Sequence, residues 1–270
     1  MFSFLQIKGE VPDVRPDVVF HAFGWPISNT ALQIFLILIL AILFCVFVIR
    51  RFKVENPGKF QTTVEGLYES MVGFTKQITG SESKARDILP IILSLFIFVG
   101  VSNLINVIPG LTSFTYNGVT LFRTPTSDFN TTFSLALALI IFIQITALAR
   151  LGVFKYIGQF VRIKPIFVGF KKGIGEGFTA IIEFFVGFLD IVSELAKIFS
   201  LSLRLFGNIY AGEVLLVMMF GALAFVLPSL WMTLSLFFGI IQAIVFGALA
   251  AAYYASSVPE VDPLAKAKKQ

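Results

Sequence analysis

Between Pro165 and Pro228 the chain carries five ionisable residues at intervals of seven: Glu176, Glu183, Asp190, Lys197 and Arg204. On a straight helix seven residues fall about 20° short of two turns, so the five drift through only about 80° and form one stripe. Glu194 and Asn208, four residues after Asp190 and Arg204, join the same face. Acids and bases sharing a face can neutralise one another as glue between helices, or can hold and pass protons along a polar strip. For Asp190, Glu194 and Lys197 both readings stand. Arg204 fits the first poorly, because its nearest acids on the same helix are Glu194, ten residues back, and Glu213, nine ahead and roughly on the opposite face. No helical neighbour three or four residues away can pair with it. It sits in SLSLRLFGNIYAGE with apolar runs on both sides, where a guanidinium costs about 2.5 to 3.5 kcal/mol on insertion scales. Such a cation must face water or a carboxylate on another chain.

The elements that position this stripe are set by composition. Of 270 residues 57% are apolar and 14% charged, mean hydropathy is +0.88 and phenylalanine occurs 32 times, a profile of an integral membrane protein. One cysteine, Cys45, and one histidine supply neither an intrachain disulfide nor a metal cage. The sequence has no Gly-rich phosphate loop, GxSxG or HExxH, so no cofactor is expected and nucleotide hydrolysis or proteolysis in its own right is disfavoured. The opening residues MFSFLQIKGEVPDVRPD contain mixed charges and two prolines without a long apolar run, which argues against a cleavable signal or transit peptide.

Five segments reach the length of about 20 apolar residues that crosses a hydrocarbon core: 31–49, 88–108, 131–149, 176–226 and 229–257. Arg and Lys alternate between their flanks, with two in the N-terminal 28 residues, seven in 50–86, one in 109–130, six in 150–172, none near Pro228 and three in the tail 258–270. The positive-inside rule then places the N-terminal segment outside and the tail in the cytoplasm. The net charge of +5 reflects that asymmetry and the anionic inner leaflet, and gives no reason to expect nucleic acid. Residues 56–86 are moderately apolar, with Val64, Leu67, Tyr68, Met71 and Phe74 at helical spacing, and read as an amphipathic helix on the membrane surface. In TPTSDFNTT, Asp128 or Thr126 is a candidate cap for the third span. A helix over 176–226 would be about 75 Å long, so it must tilt strongly or bend against a core of about 30 Å. The expected fold is all-α and polytopic, in a single membrane domain, with about five membrane helices, a surface amphipathic helix, and a long tilted fourth helix forming a hairpin with the fifth.

LRLFGNIYAGE, preceded by LDIVSELAKIFSLS, resembles the signature of subunit a of F-type ATP synthases, the stator half of the proton channel beside the rotating c-ring. FHAFGWP, PIILSLFIFVGVSNLINVIPG, TPTSDFNTT and IIQAIVFGAL are similar to that family's pattern and follow its order, so the resemblance covers nearly the whole chain. It implies two proton half-channels against the c-ring, with proton flow driving rotation coupled to ATP synthesis. The ATP chemistry would lie on other subunits, and the neighbours would be the c-ring, peripheral-stalk b subunits and lipid.

By the same resemblance Arg204 is the essential arginine at the c-ring interface. A guanidinium does not give up its proton, so it opposes the passing carboxylate of each c subunit without becoming a proton carrier. Asn208 matches the asparagine one turn away, Glu213 the acid of the outer half-channel, and Gln242 a glutamine facing the arginine across the helix pair. Asp190 and Glu194 are assigned to the inner half-channel and Lys197 to structure, while Asn103, Asn106 and His21 are possible channel lining. Some family members carry His or an acid seven residues before the glutamine. Here Ser235 stands there, a hydroxyl that holds no proton charge at neutral pH, so the outer path leans on Glu213, ordered water or His21. Protons are the expected ion, and the sequence does not distinguish H⁺ from Na⁺, because the ion ligand is expected on the c subunit. The length and lack of a transit peptide favour a bacterial inner membrane. A self-contained cation channel or secondary transporter is the alternative, although the sequence shows no internal repeat of the kind transporters carry. A membrane scaffold is a third class, which would tolerate loss of Arg204 with effects on assembly alone.

Overall fold

The computed structural model describes residues 13, 15–22, 24–53, 57–106, 108, 114–116, 118–160, 174–222 and 226–259. Among them are seven α-helices and two small antiparallel hairpins. The first hairpin pairs β1 (Val18–Ala22) with β2 (Trp25–Ser28), and the second pairs β3 (Thr115–Tyr116) with β4 (Val119–Thr120). These strands are absent from the expected all-α fold, being too short to leave a period-2 pattern.

Helix α1 (Asn29–Arg51) starts where the Ser28 hydroxyl accepts a hydrogen bond from the Ala31 amide at 3.2 Å. It ends at Arg50 and Arg51, whose charges complement the negative end of the helix dipole. Helix α2 (Lys59–Thr79) ends at Gly80, whose φ of +69° is the left-handed cap that glycine adopts without strain. Helix α3 (Glu82–Asn106) begins two residues later. The expected surface helix 56–86 is therefore two pieces: residues 82–86 belong to α3, and the second span starts six residues before the expected 88. The reversal at Gly80 breaks an apolar period that otherwise runs on. Pro90 sits inside α3, where it removes one backbone hydrogen bond.

Helix α4 (Phe129–Leu151) is capped by Asp128, which accepts from the Asn130 amide at 3.0 Å and from the Thr131 hydroxyl at 3.1 Å. The short helix α5 (Val153–Phe160) follows immediately. Helix α6 (Ile174–Ala222) runs unbroken for 49 residues, about 73 Å of rise. Helix α7 (Val226–Ser257) holds Pro228 in its first turn, where a missing N–H costs nothing. Residue 226, expected to close the fourth span, opens α7 instead.

The core lies where α3, α4, α6 and α7 meet. Ile88, Ile92, Leu95 and Val99 of α3 recur every three or four residues and are buried with Ala243, Phe246, Ala250 and Tyr254 of α7. Small residues on α7 allow this close approach, the usual device where no hydrophobic effect drives helices together. Among the described residues four helices are long and apolar enough to cross a membrane: Asn29–Arg51, Glu82–Ile105, Phe129–Leu151 and Leu227–Ser257. Most of α1 is exposed, with Phe35, Ile39, Ile42 and Leu43 open to the surroundings, as suits a helix facing lipid. The chain is a multi-pass membrane protein.

Candidate functional site

Helix α6 is the axis of the site. Arg204 lies on its exposed side, between Phe199 and Leu203, which are 52% and 53% exposed, and Asn208 one turn on. Among the described residues its guanidinium reaches only Ser200 Oγ, at 3.5 Å, and no carboxylate pairs with it. Leu205, the next residue and about 100° round the helix, is fully buried. The face that carries the cation is therefore one the other described residues leave uncovered.

Toward the C-terminal end of α6 a polar cluster is built from four elements. Asn208 Nδ2 donates to Gln242 Oε1 of α7 at 2.8 Å. Gln242 is 4% exposed, and its Nε2 has no partner among the described residues. Gln242, expected to face Arg204, bonds Asn208 one turn farther along α6. Glu213 lies beside Thr124 and Ser127, at the 3₁₀ turn that precedes α4, and near the charge of Arg123. Arg123 is buried, donates to the backbone carbonyls of Asp13 and Arg15, and reaches Ser127 Oγ at 3.5 Å. Asn103 of α3 accepts from Thr126 Oγ1 at 2.9 Å and donates to the Gly239 carbonyl at 3.2 Å. That bond depends on glycine, because a Cβ at Gly239 would stand 2.9 Å from Asn103 Cβ. Asn103, Asn208, Glu213, Trp231 and Ser235 line a cavity of about 50 Å³, space for a few waters. Trp231 Nε1 donates to the Gly212 carbonyl at 2.9 Å and closes one side.

Ten residues before Arg204, about 15 Å along the axis, a second polar cluster surrounds Glu194. Lys197 Nζ lies 2.6 Å from Glu194 Oε1 and 5.2 Å from the Tyr253 ring centre. Gln144 Nε2 of α4 donates to Glu194 Oε2 at 2.6 Å, and Tyr156 of α5 donates to Gln144 Oε1 at 2.8 Å. Gln144, Tyr156 and Glu194 border an open cavity of about 310 Å³ whose other walls are Ile157, Phe160, Ile191 and Leu195. Below it Arg150 pairs with Asp87 and so ties α4 to α3.

The sequence-predicted residues thus separate into three places. Asn208, Gln242, Glu213, Ser235 and Asn103 converge on one cluster, Glu194 joins Lys197 in another, and Arg204 stands between them. Asp190 is exposed one turn before Glu194. His21 is exposed on β1, opposite Pro26 in register, and does not line the Glu213 cavity. The side chains of Asn106 and Glu176 lie outside the described residues. Sequence reasoning missed Arg123, Thr124, Thr126 and Ser127, taking TPTSDFNTT for capping alone, and missed Gln144 and Tyr156. The available signals were Arg123 as the one basic residue of 109–130 and Gln144 as a lone amide in an apolar span.

Residues 31–255 match the family described as ATP synthase A chain. ATP synthase subunit a of Moorella thermoacetica is 33% identical over 245 residues, covering 91% of this chain and 97% of that protein. ATP synthase subunit a of Desulforamulus reducens is 31% identical over 247 residues, covering 88% and 82%. ATP synthase subunit a 1 of Crocosphaera subtropica is 25% identical over 250 residues, covering 91% and 94%. With its apolar helices and this breadth of match, the chain belongs to the ATP synthase A chain family of membrane proteins in ATP synthesis and proton transport.

Proposed function

We propose that this chain is the non-catalytic stator subunit of a rotary ATP synthase, offering two proton half-channels to a ring of c subunits. The observation that carries the reading is Arg204 itself, a permanent cation on an uncovered, largely apolar helix face with a polar cluster on either side of it. Lipid cannot cover that face without stranding the charge. A partner helix that is apolar and bears one carboxylate can.

In this reading α6 is a fifth span, tilted to fit its 73 Å or so into a thinner membrane, and α2 lies at the surface. The N-terminus is outside and the tail cytoplasmic, by the alternation of basic residues. The setting is a bacterial inner membrane, and peripheral-stalk b subunits hold the chain against the torque. A proton enters from outside at Glu213 and moves past Ser235, Asn208 and the open amide donors of Gln242 to a c-subunit carboxylate. Neutral, that carboxylate turns through lipid. On returning it loses its proton into the inner path at Glu194 and Asp190, and meets Arg204 as an anion. Arg204 keeps its proton, so it separates the two paths and prevents a direct hop that would dissipate the gradient without rotation.

The test is ATP-driven proton pumping by inverted vesicles containing the assembled complex. Arg204→Ala is expected to abolish pumping while assembly, followed by blot, is unchanged. Arg204→Lys is expected to fail too, since a desolvated ammonium can lose its proton where a guanidinium does not. Pumping that survives Arg204→Ala would reduce the arginine to structural glue.

A further inference from the structure

We infer that Gln144 and Tyr156 are positioning residues for Glu194, forming a clamp that holds its carboxylate at the mouth of the inner proton path. The inference rests on the stator reading and adds to it two residues from helices other than α6.

The clamp begins with the local fold. On α4, Ile140, Ile143 and Ala147 are buried in the core, which turns the half-buried Gln144 toward the gap between α4 and α6. Gly152, with φ +79°, ends α4 and folds α5 back at once, and the Tyr156 amide donates to the Gly152 carbonyl at 3.0 Å. The Phe160 ring packs on Tyr156 with centroids 5.2 Å apart. The phenol is thus delivered to Gln144 by a rigid turn.

The chemistry of the donors then fixes the order of the chain. An ionised Glu194 only accepts, so the amide must present Nε2 to it and Oε1 to the phenol. Burial, and then the Glu194 charge, push the Tyr156 hydroxyl above the usual phenol range, so it remains a donor. Lys197 occupies Oε1 of Glu194 while Gln144 occupies Oε2. The carboxylate is held at both oxygens beside an open cavity of about 310 Å³ with apolar walls. A helix-packing amide would need none of this directionality and no phenol behind it. Among the described residues the ionisable groups around Glu194 are Lys197 and, one turn back, Asp190 on α6, Tyr156 on α5, and Tyr253 of α7 behind Lys197. On α4, Arg150 is engaged with Asp87.

Inverted vesicles expose the inner side to the medium, so ATP-driven pumping can be followed against medium pH. The rate is normalised to ATP hydrolysis by the detached catalytic sector. Tyr156→Phe, which removes one oxygen, is expected to lower pumping about fivefold, the worth of one neutral hydrogen bond, and Gln144→Leu, which removes the bond to the carboxylate, at least as much. Each is also expected to move the half-maximal medium pH by about half a unit or more. Phe154→Leu changes a side chain on the same short helix that is 94% exposed and touches neither the polar chain nor the cavity, and its profile is expected to match wild type. The inference is overturned if Tyr156→Phe and Gln144→Leu keep the wild-type profile, or if Phe154→Leu shifts it equally. Arg204→Ala in the same vesicles separates the two failures. If it pumps, the stator reading falls and this inference with it. If it is dead while the clamp variants keep the wild-type profile, only the clamp falls.

Discussion

Glu213 meets its polar neighbours outside its own helix, on Thr124 and Ser127 beside Arg123. Arg123 holds those residues in place by gripping Ser127 and the N-terminal backbone at Asp13 and Arg15. Arg123→Ala removes the grip and the charge together, and is expected to lower proton-driven ATP synthesis about tenfold in vesicles with normal assembly. Arg123→Lys should recover only part of that, because an ammonium lacks the planar fork that reaches several acceptors. Full activity in Arg123→Ala would mean that Glu213 needs no such support. At the other bond of this cluster, Gln242→Leu deprives Asn208 of its acceptor. Interhelical hydrogen bonds in membranes are worth about 0.6 kcal/mol on average and up to about 1.7, so a modest loss of stability is expected. Trp231, hydrogen-bonded to Gly212 across the same helix pair, supplies the fluorescence signal for following unfolding of the purified chain. An unchanged midpoint would show that the amide pair is not a tie between α6 and α7.

At the scale of elements, the contact between α3 and α7 depends on residues with little or no side chain. Gly239→Val drives its side chain into Asn103, since a Cβ there would already stand only 2.9 Å from Asn103 Cβ. Overpacking of this kind costs about 1 to 3 kcal/mol and would also displace the amide that binds Thr126. The expected result is a lower unfolding midpoint together with reduced pumping, whereas Gly58→Ala, in open space, should change neither. The long helix was legible in the sequence, since a stretch without proline and a heptad stripe both required it. The cap at Asp128 was legible too, because Asp before an apolar period is a local signal. The break at Gly80 was obscured by apolar residues that keep helical spacing on both sides of it. The roles of Thr126 and Ser127 could not be read locally. A hydroxyl that caps a helix and one that reaches another helix look alike in sequence, and the distinction lies in tertiary packing at Asn103 and Glu213. Gln144 and Tyr156 were hidden for the same reason, being twelve residues apart on different helices with their target fifty residues beyond Gln144.

For the whole molecule, Arg204 divides α6 into two polar territories. Glu213 lies nine residues to one side and Glu194 ten to the other, about 28 Å apart along the axis. That separation approaches the thickness of a hydrocarbon core, and α4, α5 and α7 pack behind α6, so that the described residues leave the Arg204 face uncovered. On the proposed function a c-subunit helix covers this face. Disulfide cross-linking in assembled membranes checks it, in a background where Cys45 is replaced by serine. One cysteine replaces Leu203, beside Arg204 and 53% exposed, and another is placed next to the membrane carboxylate of the c subunit. Leu205→Cys, on the buried side, serves as the control. Oxidation is expected to link Leu203→Cys to the c subunit and to leave Leu205→Cys unlinked. Equal linking at both positions, or none at Leu203→Cys, would rule out a c-subunit helix on this face.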